Sequence, residues 1–397
     1  MKATELKTPC YVIDCDRLKE NLMILRGVMD RTVCRILLAQ KAFSCYAVYP
    51  LISEYLCGAT ASGLYEARLC HEEMPGRENH IFSPAFREED FPEILRICDH
   101  IVFNSIRQLE LYGPRAKQAG LQVGLRINPQ KSTQPAEHAI YDPCAKGSRL
   151  GVTVEEFRAA LQGTDNADCL KTEGAVNVSG ILDLLDGLHF HTLCEQNSDD
   201  LETTLNAFEE QFREWLPKMK WVNFGGGHHI TRQDYDIPRL ERCINRMSQG
   251  YGLTVYLEPG EAIALNAGYL HTKVLEVQHH VGAMDIAILD TSAACHMPDV
   301  LEMPYRPPLR DSGQPDEKQY TYRLGGPTCL SGDIIGDYSF DTPLKEGRTL
   351  IFEDMAIYSM VKNNTFNGMP LPSIYLKQGS DYTLLKSFTY QDFKSRL

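Results

Sequence analysis

Lys41 closes the stretch Leu37-Leu38-Ala39-Gln40-Lys41-Ala42-Phe43, at the downstream end of the apolar run Ile36 to Ala39. A short bounded run of this kind reads as a buried strand, so the lysine stem starts in a core and its amine meets little water. Desolvation disfavours the ammonium and lowers its pKa, which suits an amine to attack a carbonyl carbon. A lysine snorkelling to the surface is the plainer alternative, and the rest of the chain must decide between them. Leu257-Glu258-Pro259-Gly260 ends a later run with a carboxylate that could pair with such an amine or with a cationic ring nitrogen; a structural ion pair is its plainer role. In Gly187-Leu188-His189-Phe190-His191 two imidazoles point to one side of a strand, as a metal pair or as stacking and packing groups. Gly225-Gly226-Gly227 lets backbone amides approach a ligand closely, while the G-x-G-x-x-G of dinucleotide sites is absent. Cys329 sits in the Gly/Pro/Ser-rich stretch Gly325 to Asp333, where a thiol is exposed enough to react. Glu353 to Tyr358 and Phe366-Asn367-Gly368 read on pattern alone as a turn with an aromatic.

These residues need elements to position them. Apolar runs recur at Ile36–Lys41, Gly58–Ser62, His80–Pro84, Ile101–Asn104, Val123–Asn128, Gly187–His191, Trp221–Gly225 and Thr254–Glu258, with amphipathic helical segments between. Alternation of this kind implies parallel strands joined by helical crossovers. Eight units over roughly 240 residues match a closed (β/α)8 barrel; an open doubly wound sheet is the alternative. The barrel is favoured because Lys41, Ser62, Asn104, Arg126, His191, Gly225 and Glu258 all end such runs, and in a barrel those ends share one rim. After about Leu265 the segments His271–His280, Met284–Leu289, Gln319–Leu324, Arg348–Glu353, Ser373–Lys377 and Tyr382–Phe388 are rich in β-formers with turns between them. They predict an antiparallel β-sandwich or barrel domain, joined by an opening strand at Thr8–Asp14. The expected division is therefore a barrel over 15–265 and a β domain of 1–14 and 266–397.

A chain of 397 residues exceeds the usual single core, which agrees with two domains. Hydrophobic residues make up 43% and charged residues 23%, as in ordinary globular proteins. A formal net charge of −13 argues against nucleic acid and is compatible with a cationic substrate. No apolar run approaches a membrane span, and the first residues lack the apolar core of a signal peptide. The thirteen cysteines form no C-x-x-C pair and read as reduced thiols, so a cytoplasmic protein is expected.

The ordered set of a lysine after strand one, F-H after strand six, G-G-G after strand seven and E-P-G after strand eight resembles the fold-type III pyridoxal-phosphate decarboxylases. G-P-T-C, Tyr358 and F-N-G continue the match, which runs from about Thr8 to Gly368. The group includes ornithine, arginine and diaminopimelate decarboxylases, with alanine racemase more distant. Within it, L-L-A-Q-K-A-F, S-R-L-G, G-L-H-F-H-T-L-C-E, E-P-G-E-A and C-L-S-G-D are most similar to the carboxynorspermidine/carboxyspermidine branch. The resemblance implies that Lys41 holds pyridoxal 5'-phosphate as a Schiff base and that His191 stacks on its ring. It implies phosphate binding by the backbone of Gly225, Gly226, Gly227 and Gly260, with the Tyr358 hydroxyl, and pairing of Glu258 with the pyridinium nitrogen. Cys329 and Asp333 would enter from the partner subunit of a homodimer, and Cys329 or Lys41 would protonate Cα after CO2 leaves.

Departures from the relatives bear on the substrate. Many relatives carry arginine directly after E-P-G, where this chain has Glu261. Diaminopimelate decarboxylases have an M-x-D-L-x-R-P-like segment whose arginine helps bind their substrate; the matching stretch is Met297 to Glu302, with Glu302 at that place. Ornithine-type enzymes have an acid directly after the cysteine, here Leu330. Two glutamates for arginines disfavour a distal carboxylate and suit an amine-rich tail, received by acids among Glu261, Asp299, Glu302 and Asp333. Expected, then, is decarboxylation of carboxynorspermidine or carboxyspermidine, with a diaminopimelate, ornithine or arginine-type activity as the alternative. Outside that class stand a non-catalytic relative that binds a regulator or polyamine, and a metal hydrolase built on His189 and His191.

Overall fold

The eight spaced runs close into a parallel barrel in a computed structural model, which describes residues 5–135, 142–162 and 180–397. With the opening strand Cys10–Asp14 as β1, the barrel strands are β2 (Arg35–Ala39), β3 (Gly58–Ala61), β4 (Glu78–Phe82), β5 (His100–Phe103), β6 (Gln122–Arg126), β7 (Gly187–His189), β8 (Trp221–Asn223) and β9 (Thr254–Leu257). Ile36 opposite Leu257 closes the ring between β2 and β9. Helices cover the outer face, so strands such as Ile36–Ala39 are buried on both sides and carry unbroken apolar runs instead of alternation. The helix Ile106–Gln118 shows how the cover is made. Leu109, Tyr112, Gly113 and Ala116 form its buried face, and Ser105 starts it by accepting a bond from the Gln108 N–H.

The barrel interior is filled by rings at the end where the strands begin. Leu37, Val102, Trp221 and Tyr256, from four different strands, pack together there. His80 stacks on His100 with ring centroids 3.9 Å apart, and Trp221 and Tyr256 lean against them. Glu78 holds the His80 Nε2 at 2.9 Å and forms an ion pair with Arg35. The Trp221 indole fits because two neighbouring strands carry glycine: a Cβ at Gly124 or Gly187 would lie 2.3 or 2.1 Å from it. Filling a barrel interior with side-chain layers makes it a packed core with no pore.

By contacts, the described chain divides into two units. Leu22–Lys41 and Val48–Ile263 form the barrel unit; the segment up to Asn21, Ala42–Ala47 and Ala264–Leu397 form the other. In the second unit β10 (Gly268–Gln278), β11 (Asp285–Leu289), β12 (Tyr320–Gly325), β13 (Ile334–Phe340), β14 (Thr349–Glu353), β15 (Ser373–Gln378) and β16 (Asp381–Lys386) make one sheet with β1. Its order is β13-β12-β11-β10-β1-β15-β16, with β14 also on β10. The sheet is mixed where an antiparallel domain was expected: β1 runs parallel to β15, and β11 parallel to β12. Both parallel pairs join strands far apart in sequence, which leaves room for the long crossover such pairing needs. Tyr11, Leu270, Leu289, Leu324, Tyr338 and Phe352 lie at the centre of its core.

Candidate active site

Because the barrel is closed and parallel, the residues ending its strands meet on one rim. Glu258 follows β9 and is buried. Its Oε1 accepts from Asn223 Nδ2 at 2.8 Å, and its Oε2 lies 3.3 Å from His189 Nε2. Burial pushes the carboxyl up, but the hydrogen bonds from His189 and Asn223 outweigh it and hold the pKa at about 2. His189 itself is lowered by burial, so at neutral pH it serves Glu258 as a neutral N–H donor. Glu258 is therefore an ionised carboxylate fixed in a dry place.

Lys41 remains solvent-accessible, yet the protein packed round it lowers its pKa. Desolvation is the main cause, the Arg126 charge adds to it, and Glu258 pulls the other way. Arg126 ends β6 and is itself lowered to about 10 by burial. Its guanidinium lies 4.7 Å from the Phe82 ring centre and donates to the His191 carbonyl at 3.4 Å. The His191 ring is held by its Nδ1, which accepts the Gly226 N–H at 3.0 Å. Burial, then Lys41 and Arg126, keep this imidazole neutral, well below its ordinary pKa.

The glycine turn after β8 has no room for side chains. A Cβ on Gly225, Gly226 or Gly227 would lie 2.6, 2.6 or 2.1 Å from the carbonyl oxygens of Phe190, Glu258 and Leu193, and Gly225 and Gly227 have positive φ. The Gly225 N–H donates to Asn223 Oδ1 at 2.8 Å, and Gly260 follows Glu258 by two residues, buried. Two rim residues have other work. Asn104 bonds the Arg149 carbonyl and the Gly151 N–H, fixing S-R-L-G, and the Ser62 N–H donates to Glu66. His189 and His191 have separate partners, and the only group of three metal-capable side chains found among the described residues is Glu78, His80 and His100 at the other barrel end.

The remaining expected residues, Glu261 apart, lie in the second unit. Cys329 is exposed, and its N–H donates to Asn367 Oδ1 at 2.8 Å, which ties G-P-T-C to F-N-G. Asp333 is buried inside that loop, accepting from Thr328 Oγ1 at 2.6 Å and from the Ala294 N–H at 3.2 Å. Tyr358 has a left-handed backbone, φ 47°, and its N–H donates at 2.9 Å to the carbonyl of Ala42, the residue after Lys41. A bulky residue in that region costs about 1–3 kcal/mol and is held there by its surroundings. Asp299 and Glu302 both bond Lys362. Glu261, in the barrel unit, is half-buried. The sequence reading missed Asn223 and Lys362; Asn223 could have been found as a polar strand end on the rim that carries Glu258, whereas nothing local marks Lys362.

This donor set suits pyridoxal phosphate: an amine of lowered pKa, a buried ionised carboxylate, a neutral imidazole and a side-chain-free turn. The comparisons agree. A sequence model of the family "Pyridoxal-dependent decarboxylase, C-terminal sheet domain" matches residues 10–356. The chain is 38% identical over 404 residues to a carboxynorspermidine/carboxyspermidine decarboxylase of Campylobacter jejuni, covering 99% of both chains. It is 39% identical over 401 residues to a carboxyaminopropylagmatine decarboxylase of Synechocystis, covering 100% of this chain and 97% of that one. A crystal structure of carboxynorspermidine decarboxylase complexed with norspermidine, from C. jejuni, superposes with TM-score 0.87 at 37% identity, over 99% of this chain and 100% of that one.

Proposed function

Since the chain belongs to the pyridoxal-dependent decarboxylases, we propose that it converts carboxynorspermidine or carboxyspermidine to norspermidine or spermidine, the last step of a polyamine-forming sequence. The observation that carries the substrate reading is the near-complete coverage at 38% identity by the C. jejuni relative of that name. A second reading, carboxyaminopropylagmatine as substrate, is favoured by the Synechocystis relative at 39%. All three substrates join a carboxylated aminopropyl end to a cationic tail. Glu261, where many relatives carry arginine, and Glu302, where diaminopimelate decarboxylases do, argue against a carboxylate at the far end of the substrate.

Lys41 would hold the cofactor covalently, its amine's pKa lowered by desolvation and by the Arg126 charge. Glu258 would hold a proton on the cofactor's ring nitrogen, and His191 would pack against the ring. Gly225, Gly226, Gly227 and Gly260 give the phosphate close backbone contact, with the Tyr358 hydroxyl. Pyridoxal phosphate, when bound, supplies the electron sink that accepts the pair left behind as the C–C bond breaks and CO2 departs. Cys329 Sγ–H, or Lys41 in its protonated form, would then deliver a proton to Cα, leaving a thiolate or a neutral amine. Asp333, through Thr328 and Ala294, shapes the loop that carries Cys329, while Glu261, Asp299 and Glu302 meet the ammonium groups of the tail.

The barrel domain is taken as 15–265 and the β domain as 1–14 with 266–397. The active unit is a cytoplasmic homodimer in which Cys329 and Asp333 serve the partner's barrel. Described helices include none long and apolar enough to cross a membrane. The test is CO2 release from carboxynorspermidine, carboxyspermidine, carboxyaminopropylagmatine and diaminopimelate, with borohydride fixation of the cofactor mapped by peptide. Preference for diaminopimelate would overturn the substrate reading, and fixation at a lysine other than Lys41 the catalytic one.

A further inference from the structure

Asn223 ends β8 two residues before Gly225, and its side chain faces two partners at once. Its Oδ1 accepts the Gly225 N–H at 2.8 Å, and its Nδ2 donates to Glu258 Oε1 at 2.8 Å. Asn223 is 1% exposed and Glu258 7%, so water does not compete for either bond. A parallel main-chain bond, Glu258 N–H to the Gly225 carbonyl at 2.8 Å, draws the same two segments together. The remaining Glu258 oxygen is left to His189.

Residue chemistry narrows what could occupy this place. An amide offers an acceptor and a donor from one rigid plane. A serine hydroxyl is too short to span both partners, an aspartate has no donor for a carboxylate, and an aliphatic side chain would leave the Gly225 N–H and Glu258 Oε1 buried without this partner. The plain role is satisfaction of two polar groups in a buried loop. What goes beyond it is the identity of the groups joined: the turn proposed to meet the cofactor's phosphate and the carboxylate proposed to meet its ring nitrogen. These are opposite ends of one rigid ligand, and a tie of fixed length between their receptors sets the spacing to which the ligand must conform.

We propose that Asn223 is a positioning residue for the cofactor, coupling the Gly225–Gly227 turn to Glu258 so that both ends of pyridoxal phosphate are met together. The proposal rests on the assignment of Glu258 and the glycine turn given above. It acts before any chemistry, in the affinity of the apoenzyme for its cofactor.

The experiment is a thermodynamic cycle on apoenzyme titrated with pyridoxal phosphate, with Kd read from its absorbance and from quenching of tryptophan fluorescence. Four proteins are compared: the unaltered chain, Asn223→Ala, Glu258→Gln and the double variant. Melting of each apoprotein reports its fold. Asn223→Ala should weaken binding about tenfold or more, since one of the lost bonds runs to a charged group. In the Glu258→Gln background the same change should cost no more than about threefold, because the arm it supported is already altered. If Asn223→Ala does not fold, Asn223→Ser takes its place, with a several-fold loss expected and the same non-additivity. Unchanged affinity in the Asn223 variant, or losses that simply add, would overturn the proposal. An unchanged Kd in Glu258→Gln alone would remove the Glu258 assignment, and the proposal with it, which is a different result from an additive cycle.

Discussion

Lys362 offers a sharp test of how the chain would recognise a polycation, because its removal and the removal of a partner make opposite predictions. Lys362 Nζ bonds Asp299 and Glu302, whose side chains are 17% and 58% exposed, while Lys362 is 33% exposed. The three groups sum to one negative charge. Lys362→Met takes the cluster to two negative charges, and Asp299→Asn takes it to none. Both changes break the same ion pair, so any merely structural damage would act in one direction for both. For a tail ammonium at ~6 Å with an effective dielectric of ~40, one unit of charge is worth about 1.4 kcal/mol. That is about tenfold in kcat/KM. With carboxynorspermidine, Lys362→Met should therefore raise kcat/KM up to about tenfold, and Asp299→Asn should lower it by about the same factor. Glu302→Gln, at a more exposed position, should lower it by only about two- to threefold. All three effects should shrink in ~0.5 M salt, where the Debye length falls to a few ångströms. Equal losses in Lys362→Met and Asp299→Asn, insensitive to salt, would refute the reasoning and make the cluster a structural tie alone.

Arg126→Met should raise the pKa of the Lys41 amine, since the Arg126 charge is one of the causes that lower it. Cofactor capture by the apoenzyme, which needs the neutral amine, should then shift to higher pH in a stopped-flow profile; a shift to lower pH would contradict the assignment. Equal mixing of Lys41→Ala and Cys329→Ala chains, both inactive alone, should restore about a quarter of the normal activity, because half the dimers are mixed and each holds one intact site. No recovery after demonstrated subunit exchange would place both residues in one chain's site. Gly187→Ala should lower the stability of the barrel by about 1–3 kcal/mol in urea unfolding, because its Cβ would lie 2.1 Å from the Trp221 indole. An unchanged midpoint would show that the indole moves aside without cost.

Legibility in the sequence followed the range over which each feature is encoded. The barrel was readable because strands buried on both faces leave unbroken apolar runs, and helices between them leave a second period. Lys41, His191, Gly225 and Glu258 were readable as one rim because closure converts a one-dimensional pattern, a chemical residue after each run, into proximity. β13 escaped notice because Gly336 and Asp337 interrupt Ile334–Phe340 with turn-forming types, although Ile335, Tyr338 and Phe340 are buried. The parallel pairs of the second sheet were beyond local reading, since strand direction there is decided by which distant segment docks beside β1 or β11. The bonds of Asn223 to Glu258 and of Lys362 to Asp299 likewise join residues tens of positions apart, and neither partner's neighbours announce them.

The ring-filled end of the barrel has a consequence for traffic. With Trp221 seated against Gly124 and Gly187, and His80, His100 and Tyr256 around it, the barrel is a cul-de-sac. On the proposed function, the carboxylated substrate, the CO2 it loses and the polyamine that remains would all pass by the rim that carries Lys41 and Glu258. Departure of a long cationic product would then have to precede arrival of the next substrate, so added polyamine should inhibit turnover competitively, a result that initial-rate kinetics would read.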